Sequence, residues 1–166
     1  MNRTLFSFLL LCSTLGAVGQ EPEKEGIHQT LDTWHRAASE ADFDTYFDLL
    51  TEDAVFVGTD ATEVWGKAAF MSFSKPYFDR GKAWSFTAVQ RNIYVDSGQN
   101  IAWFDELLDT WMLLCRGSGV LKKVNGEWKI SHYVLSITIP NDEVNPVIAL
   151  KKENDSTLLQ TLIRRD

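Results

Sequence analysis

The sequence predicts an α+β domain in which helices at the front of the chain cover one face of a curved, mostly antiparallel sheet. Three observations carry this. Ile27, Leu31, Trp34 and Ala38 recur at the spacing of one helix face. From Trp84 onward the pattern changes to strict alternation. Asn125-Gly126, two residues that tolerate positive φ, marks a tight hairpin between two long alternating runs. Helices first and a strand meander afterwards is the order of an α+β layout.

Taken in order, a first helix is expected over residues 26–40. Asp42 caps a short second helix from Phe43 to Leu50, with Phe43, Tyr46 or Phe47, and Leu50 on its buried side. Ala54–Val57 is a short strand, and Gly58–Thr62 is its turn-rich exit. Residues 66–79 read as a third helix presenting Phe70, Phe73 and Tyr77, with Pro76 bending or ending it and Gly81 terminating it. Residues 84–95 form a strand and Asp96–Asn100 a hairpin loop. The strand Trp103–Asp109 follows. The next turn has two readings: Asp109-Thr110 makes it and Gly117-Ser118-Gly119 is a bulge, or the glycines are themselves the turn. The last strand runs from Glu127 to Ile139, with Tyr133, Leu135, Ile137 and Ile139 on one side and Trp128, Ile130, His132 and Val134 on the other. Residues 141–166 read as a helical extension packed on the outside.

The 166 residues are enough for one domain with a real core, and 45% hydrophobic with 23% charged residues is ordinary for a globular chain. Six Trp and ten Phe supply lining for a core or an apolar cavity. Residues 1–19 have the form of a secretory signal: Asn2-Arg3, an apolar run Leu5–Leu11, and the small-x-small site Ala17-Val18-Gly19. The run is too short to span a bilayer as a helix, so no stable membrane insertion is expected. Leu11 before Cys12 argues against lipoprotein processing. Cleavage near Gly19-Gln20 gives an exported protein, periplasmic or secreted, whose residues 20–25 form a polar tether to a domain over 26–140. Its loss of Arg3 moves the net charge from −7 to −8. Such a chain, without a basic cluster, is a poor binder of nucleic acid. Cys115 is then the one remaining cysteine, so no internal disulfide forms, and it reads as a small buried hydrophobe.

The chain's most unusual stretch is Trp103-Phe104-Asp105-Glu106-Leu107-Leu108-Asp109. Strand alternation puts Trp103, Asp105, Leu107 and Asp109 on one face and Ala102, Phe104, Glu106 and Leu108 on the other. A carboxylate on an apolar face costs several kcal/mol unless it is paired, hydrogen-bonded or protonated. The face with Trp103 is favoured, which makes Asp105 the candidate acid or base; its plain alternative is a pair with Arg91 or Arg116. His132, flanked by Ile130 and Val134 on its side of the strand, is a core or cavity histidine, and becomes an acid–base partner if it meets Asp105. His28, Asp32 and His35 share a side of the first helix, but no second cluster supplies a fourth ligand, so no metal is expected. No cofactor is implied.

The segments Trp34–Ala38, Asp42–Phe47, Leu50–Phe56, Gly58–Trp65, Lys75–Asp79, Ala102–Glu106 and Gly126–Ile130 together resemble SnoaL-like domains of the nuclear-transport-factor-2-like superfamily. The resemblance covers residues 27–140. It implies a cone: a strongly bent antiparallel or mixed sheet wrapped against three N-terminal helices, open at one end, in a protein that often forms a homodimer through the outer sheet face. The superfamily holds isomerases, dehydratases, cyclases and many binders. Its ketosteroid isomerase carries a catalytic Asp five residues after the acid of a D-A-x-V-like segment; counted from Asp53 that position is Gly58, and Asp60 lies two residues on. The expectation placed first is an exported module binding a small, largely apolar molecule in the cone, lined by Trp34, Trp65, Tyr77, Trp84, Trp103 and Arg116. The alternatives are a cofactor-free enzyme using Asp105, His132 and Asp60 for proton transfer, and a dimerising partner module with a filled cone.

Overall fold

Residues 20–164 are described by the computed structural model; the signal-like segment, Cys12 and the expected cleavage site lie outside the described residues. The described residues divide into two compact units, one ending at Ser136 and the other beginning at Ile137. In the first, α1 (Gln20–Glu40), α2 (Phe43–Asp48) and α3 (Lys67–Asp79) accompany a six-stranded sheet. Its strands are β1 (Leu50–Val57), β2 (Val64–Gly66), β3 (Thr87–Val95), β4 (Ile101–Thr110), β5 (Leu113–Val124) and β6 (Glu127–Ile137), in the order β2-β1-β6-β5-β4-β3. β1 and β6 run parallel, whereas β1–β2, β3–β4 and β4–β5 are antiparallel, so the sheet is mixed, curved and unclosed. The second unit holds α4 (Val144–Ile163), one helix with no buried residue, after a single turn of tighter helix at Asn141–Glu143.

α1 buries the expected stripe Ile27, Leu31, Trp34 and Ala38. It also begins six residues earlier than expected, because the segment read as a tether is held. Glu23 accepts hydrogen bonds from Lys123 Nζ at 2.7 Å and Trp128 Nε1 at 2.8 Å, and the Trp128 ring packs on Gly26. The Lys123 and Trp128 hydrogen bonds hold the Glu23 carboxyl below its ordinary range against a smaller opposing effect of burial. Asp42 caps α2 by accepting from Thr45 N–H at 3.1 Å, a contact worth about 1 kcal/mol. α3 contains Pro76 and ends at Asp79, with Gly81 at φ 75°. The face it buries is Phe70, Ser74 and Phe78; Phe73 and Tyr77, expected beside Phe70, are about 40% exposed.

The long strands set the concave surface. Ala102, Phe104, Glu106, Leu108 and Thr110 of β4 are buried, and the β5 residues opposite them are Leu121, Gly119, Gly117, Cys115 and Leu113. That ladder runs without a register shift, so neither glycine is a bulge or a turn. The turn is Trp111-Met112, and Thr110 secures it: Oγ1 accepts from Met112 N–H and donates to Leu113 O, both at 2.9 Å. Leu113 takes φ 65° in consequence of so tight a reversal. The bulge lies in β3 instead, between Ala88 and Gln90, and it keeps both Ala88 and Arg91 opposite buried β4 residues. Asn125 and Gly126 take φ 53° and 87° in the expected tight hairpin. On β6 burial changes phase: Trp128 and Ile130 are buried, then Ser131, Tyr133 and Leu135.

The glycines of β5 make room. A Cβ on Gly117 would lie 2.3 Å from Tyr133 Oη and 3.0 Å from Glu106 Cγ. Gly117→Ala is therefore expected to lower the unfolding free energy by about 1–3 kcal/mol through overpacking. Gly66→Ala, where an added Cβ meets nothing within 4 Å, should cost under about 1 kcal/mol. Urea unfolding of the two variants checks the difference.

Candidate functional site

Strand β4 delivers Glu106 to the concave face, fully buried. Three elements converge on it. Arg91, aimed inward by the β3 bulge and its register partner, donates from Nε to Oε2 at 2.8 Å. His35 of α1 approaches Oε1 with Nε2 at 2.8 Å, and since an ionised carboxylate only accepts, Nε2 carries the proton. Tyr133 of β6 reaches over Gly117 and donates to Oε1 at 3.2 Å. Behind this layer Arg91 Nη1 donates to Asp32 Oδ1 at 2.7 Å and approaches His28 Nδ1 at 3.4 Å. The stripe His28, Asp32 and His35 thus faces an arginine, and no group of potential metal ligands occurs among the described residues.

The electrostatics follow from the geometry. Burial by itself would raise the Glu106 carboxyl, but the His35 hydrogen bond and charge and the Arg91 guanidinium together hold it below its ordinary range. Burial first, then the facing carboxylate, push the Tyr133 phenol well above its ordinary value, so it stays a donor. A carboxylate receiving three donors, one of them an arginine, is a poor base. Its chemistry is to hold α1, β3, β4 and β6 in one arrangement.

Next to this braced layer the cone is packed with aromatic rings. Trp34 stacks on Tyr46 at 4.9 Å and meets Tyr133 edge-on at 4.7 Å, and Phe56 stacks on Phe70 at 4.1 Å. Packing leaves a pocket of about 190 Å³ whose wall includes Trp65, Phe73, Trp84, Phe86, Trp111 and Met112. A separate open groove of about 290 Å³ is lined by Asp32, His35, Arg36, Ser39 and residues 85–88.

The expected site residues fall in different places. Asp105 lies on the outer sheet face, about one-third exposed, bound by Arg116 Nη1 at 3.0 Å; that is the plain pairing rather than an acid in a cavity. Asp60 is exposed in the turn after β1, where it accepts from Thr62 N–H and Oγ1, and those bonds lower its carboxyl. His132 is half-buried next to inward-pointing Tyr133 on the alternating strand, and its buried Nδ1 has no partner among the described residues. No hydrogen bond joins any two of these three. Of the aromatics, Trp65 and Trp84 line the pocket. Trp34 is core. Trp103 stacks on Tyr94 at 5.9 Å and is 48% exposed, and Tyr77 lies under Arg80. Arg116 is exposed beside Asp105. Sequence reasoning missed Glu106, Arg91 and Tyr133 as a unit, and missed Trp111. The signal was present in β4: the face carrying two carboxylates, Asp105 and Asp109, is the wet one, whereas Glu106 is the single acid among Ala102, Phe104 and Leu108.

Residues 27–140 match the family model described as a SnoaL-like domain. No curated protein matches. Among solved structures, a nuclear-transport-factor-2-like protein of unknown function from Pseudomonas putida is 17% identical, with a TM-score of 0.60 over 74% of this chain and 90% of its own. A candidate dehydratase of the same superfamily from Streptomyces avermitilis is 14% identical, with a TM-score of 0.63 over 73% of this chain and 99% of its own. A protein from Xanthomonas campestris, described as a candidate calcium/calmodulin-dependent kinase association domain, is 18% identical, with a TM-score of 0.53 over 69% and 86%. At such identities the likeness is one of fold.

Glu106→Gln leaves the buried Arg91 guanidinium with only the largely exposed carboxylate of Asp32 as counter-charge and is expected to cost about 3 kcal/mol. Asp105→Asn, which breaks a half-exposed pair, should cost at most about 1 kcal/mol. Because the folded Glu106 carboxyl titrates below the ordinary 4.5, its contribution is fully present above that pH and is lost as pH falls through the lower folded value. The gap between wild type and Glu106→Gln should therefore close in acid, as read from urea midpoints across that range.

Proposed function

This chain belongs to the SnoaL-like family of the nuclear-transport-factor-2-like superfamily, and from that premise we propose that it is a binding domain for a small, largely apolar molecule held in the cone. One observation carries the reading: Glu106, His35, Arg91 and Tyr133 are tied to one another, while the pocket of about 190 Å³ is walled by aromatic rings. Few convergent polar groups in an apolar, preformed concavity are what a small-molecule site presents. Trp111 supports the same reading. It forms part of the pocket wall and is 80% exposed, so a ligand there would cover apolar surface now in water.

A second reading, a cofactor-free isomerase-, dehydratase- or cyclase-type enzyme, is favoured by a different observation. His35 lines the open groove and has Glu106 hydrogen-bonded to Nε2, the arrangement in which a carboxylate orients an imidazole for proton transfer. We further propose export after removal of the signal-like segment, from its charged start, apolar run and small-residue site. Pairing of two copies is proposed through the outer sheet face, where Tyr94, Ile101, Trp103 and Leu114 remain 47–48% exposed.

The test is a thermal-shift screen of residues 20–166 against neutral aromatic compounds such as indole. A binder present at about a hundredfold its Kd stabilises by about 2.7 kcal/mol. The shift should be lost in Trp111→Ala and Phe73→Ala, whose side chains are exposed enough to remove without unfolding the core, and retained in Asp105→Asn. A shift that survives both aromatic truncations would sink this pocket as the site. Turnover of a carbonyl or hydroxylated substrate, abolished by His35→Asn without a change in indole binding, would favour the second reading.

A further inference from the structure

The pocket contains one charged side chain. Glu63 joins the rings of Trp65, Phe73, Trp84, Phe86 and Trp111 in its wall, and no Lys, Arg or His does. The Glu63 carboxylate is positioned rather than loose. The turn that carries it is closed by Gly58 N–H to Glu63 O at 2.9 Å and Glu63 N–H to Asp60 O at 3.0 Å. Oε2 accepts from the Asp60 N–H at 3.2 Å. It sits directly over Gly58, where an added Cβ would lie 2.2 Å from Oε2. No basic side chain of the described residues forms an ion pair with it.

We propose that the ligand of this pocket is an organic cation: an ammonium group, quaternary or primary, on a small apolar body. The inference rests on the binding reading above and adds the ligand's charge. An aromatic face carries negative quadrupole density, so a cage of rings attracts a cation that it cannot hold as firmly when the same shape is neutral. A carboxylate at the rim adds the complementary charge. A neutral ligand filling the pocket would strip water from Glu63 and return nothing for it, whereas an ammonium ion would satisfy it. The acidic chain, at −7, draws cations toward the surface over distances comparable to the Debye length.

The experiment uses tryptophan fluorescence and calorimetry on residues 20–166, with choline, its uncharged carbon isostere dimethylbutanol, and indole as the neutral probe. Choline is expected to bind about tenfold or more tighter than the isostere, and more weakly as salt is raised. Glu63→Gln, which keeps an oxygen for the Asp60 N–H, should erase most of that preference and leave indole binding unchanged. If indole binds but choline is no better than its isostere, or if Glu63→Gln leaves the preference intact, the cation proposal is overturned and the binding reading stands. If none of the three binds, both fall. Choline binding that depends on Glu63 and Trp111, without indole binding, supports the cation and narrows the ligand class.

Discussion

The buried Glu106 carboxylate is the interaction the rest of the cone depends on. It ties four elements that are distant in sequence: His35 from α1, Arg91 from β3, its own β4, and Tyr133 from β6. Each of these groups is costly to bury alone. Together they pair with one another, with Arg91 Nη2 alone of their buried side-chain polar atoms left without a partner, and that reciprocity specifies how the first helix lies on the sheet. Hydrophobic burial of Ile27, Leu31 and Trp34 holds α1 against the core, but apolar contact is non-directional. The His35–Glu106–Arg91 contacts supply the direction.

Two backbone devices allow this layer to exist. The β3 bulge turns Arg91 inward against Glu106, where an uninterrupted strand would set Ala88 and Arg91 on opposite faces. Gly117, opposite Glu106 on β5, removes the one Cβ that would occupy the place of the Tyr133 hydroxyl. Glycine here serves a close approach, not a turn. With Glu106, His35, Arg91 and Tyr133 consumed in the brace and rings such as Trp34, Tyr46 and Phe56 filling the space beside them, the pocket of about 190 Å³ is small and aromatic. The hairpin tip at Trp111-Met112 and the turn bearing Glu63 complete its wall. Rigidity and recognition are thus assigned to different residues.

Much of the architecture was legible in local pattern. The α1 stripe, the Asp42 cap, the Asn125-Gly126 hairpin and the alternation of β4 each depend on neighbours within a few residues, and each appears where its chemistry places it. The candidate site was less legible. Alternation established that Asp105 and Glu106 point to opposite faces, but not which face is dry. The presence of Trp103 beside Asp105 was a misleading cue, because that tryptophan packs on Tyr94 on the exposed face. The glycines of β5 were ambiguous for a similar reason: a glycine signals backbone freedom or missing volume, and only its neighbours across the sheet say which.

What the sequence by itself determined is the order of elements, the family to which the chain belongs, and the pairing of residues into faces, since these follow from spacing along one chain. Tertiary structure alone decided which carboxylate is buried, that residues 20–25 belong to the first helix, and which tryptophans meet a pocket. Those outcomes turn on partners about seventy to one hundred residues away, as in His35 with Glu106 and Glu23 with Lys123. A local pattern carries no information about such partners, because the energy that selects them arises only when the curved sheet brings them within hydrogen-bonding distance.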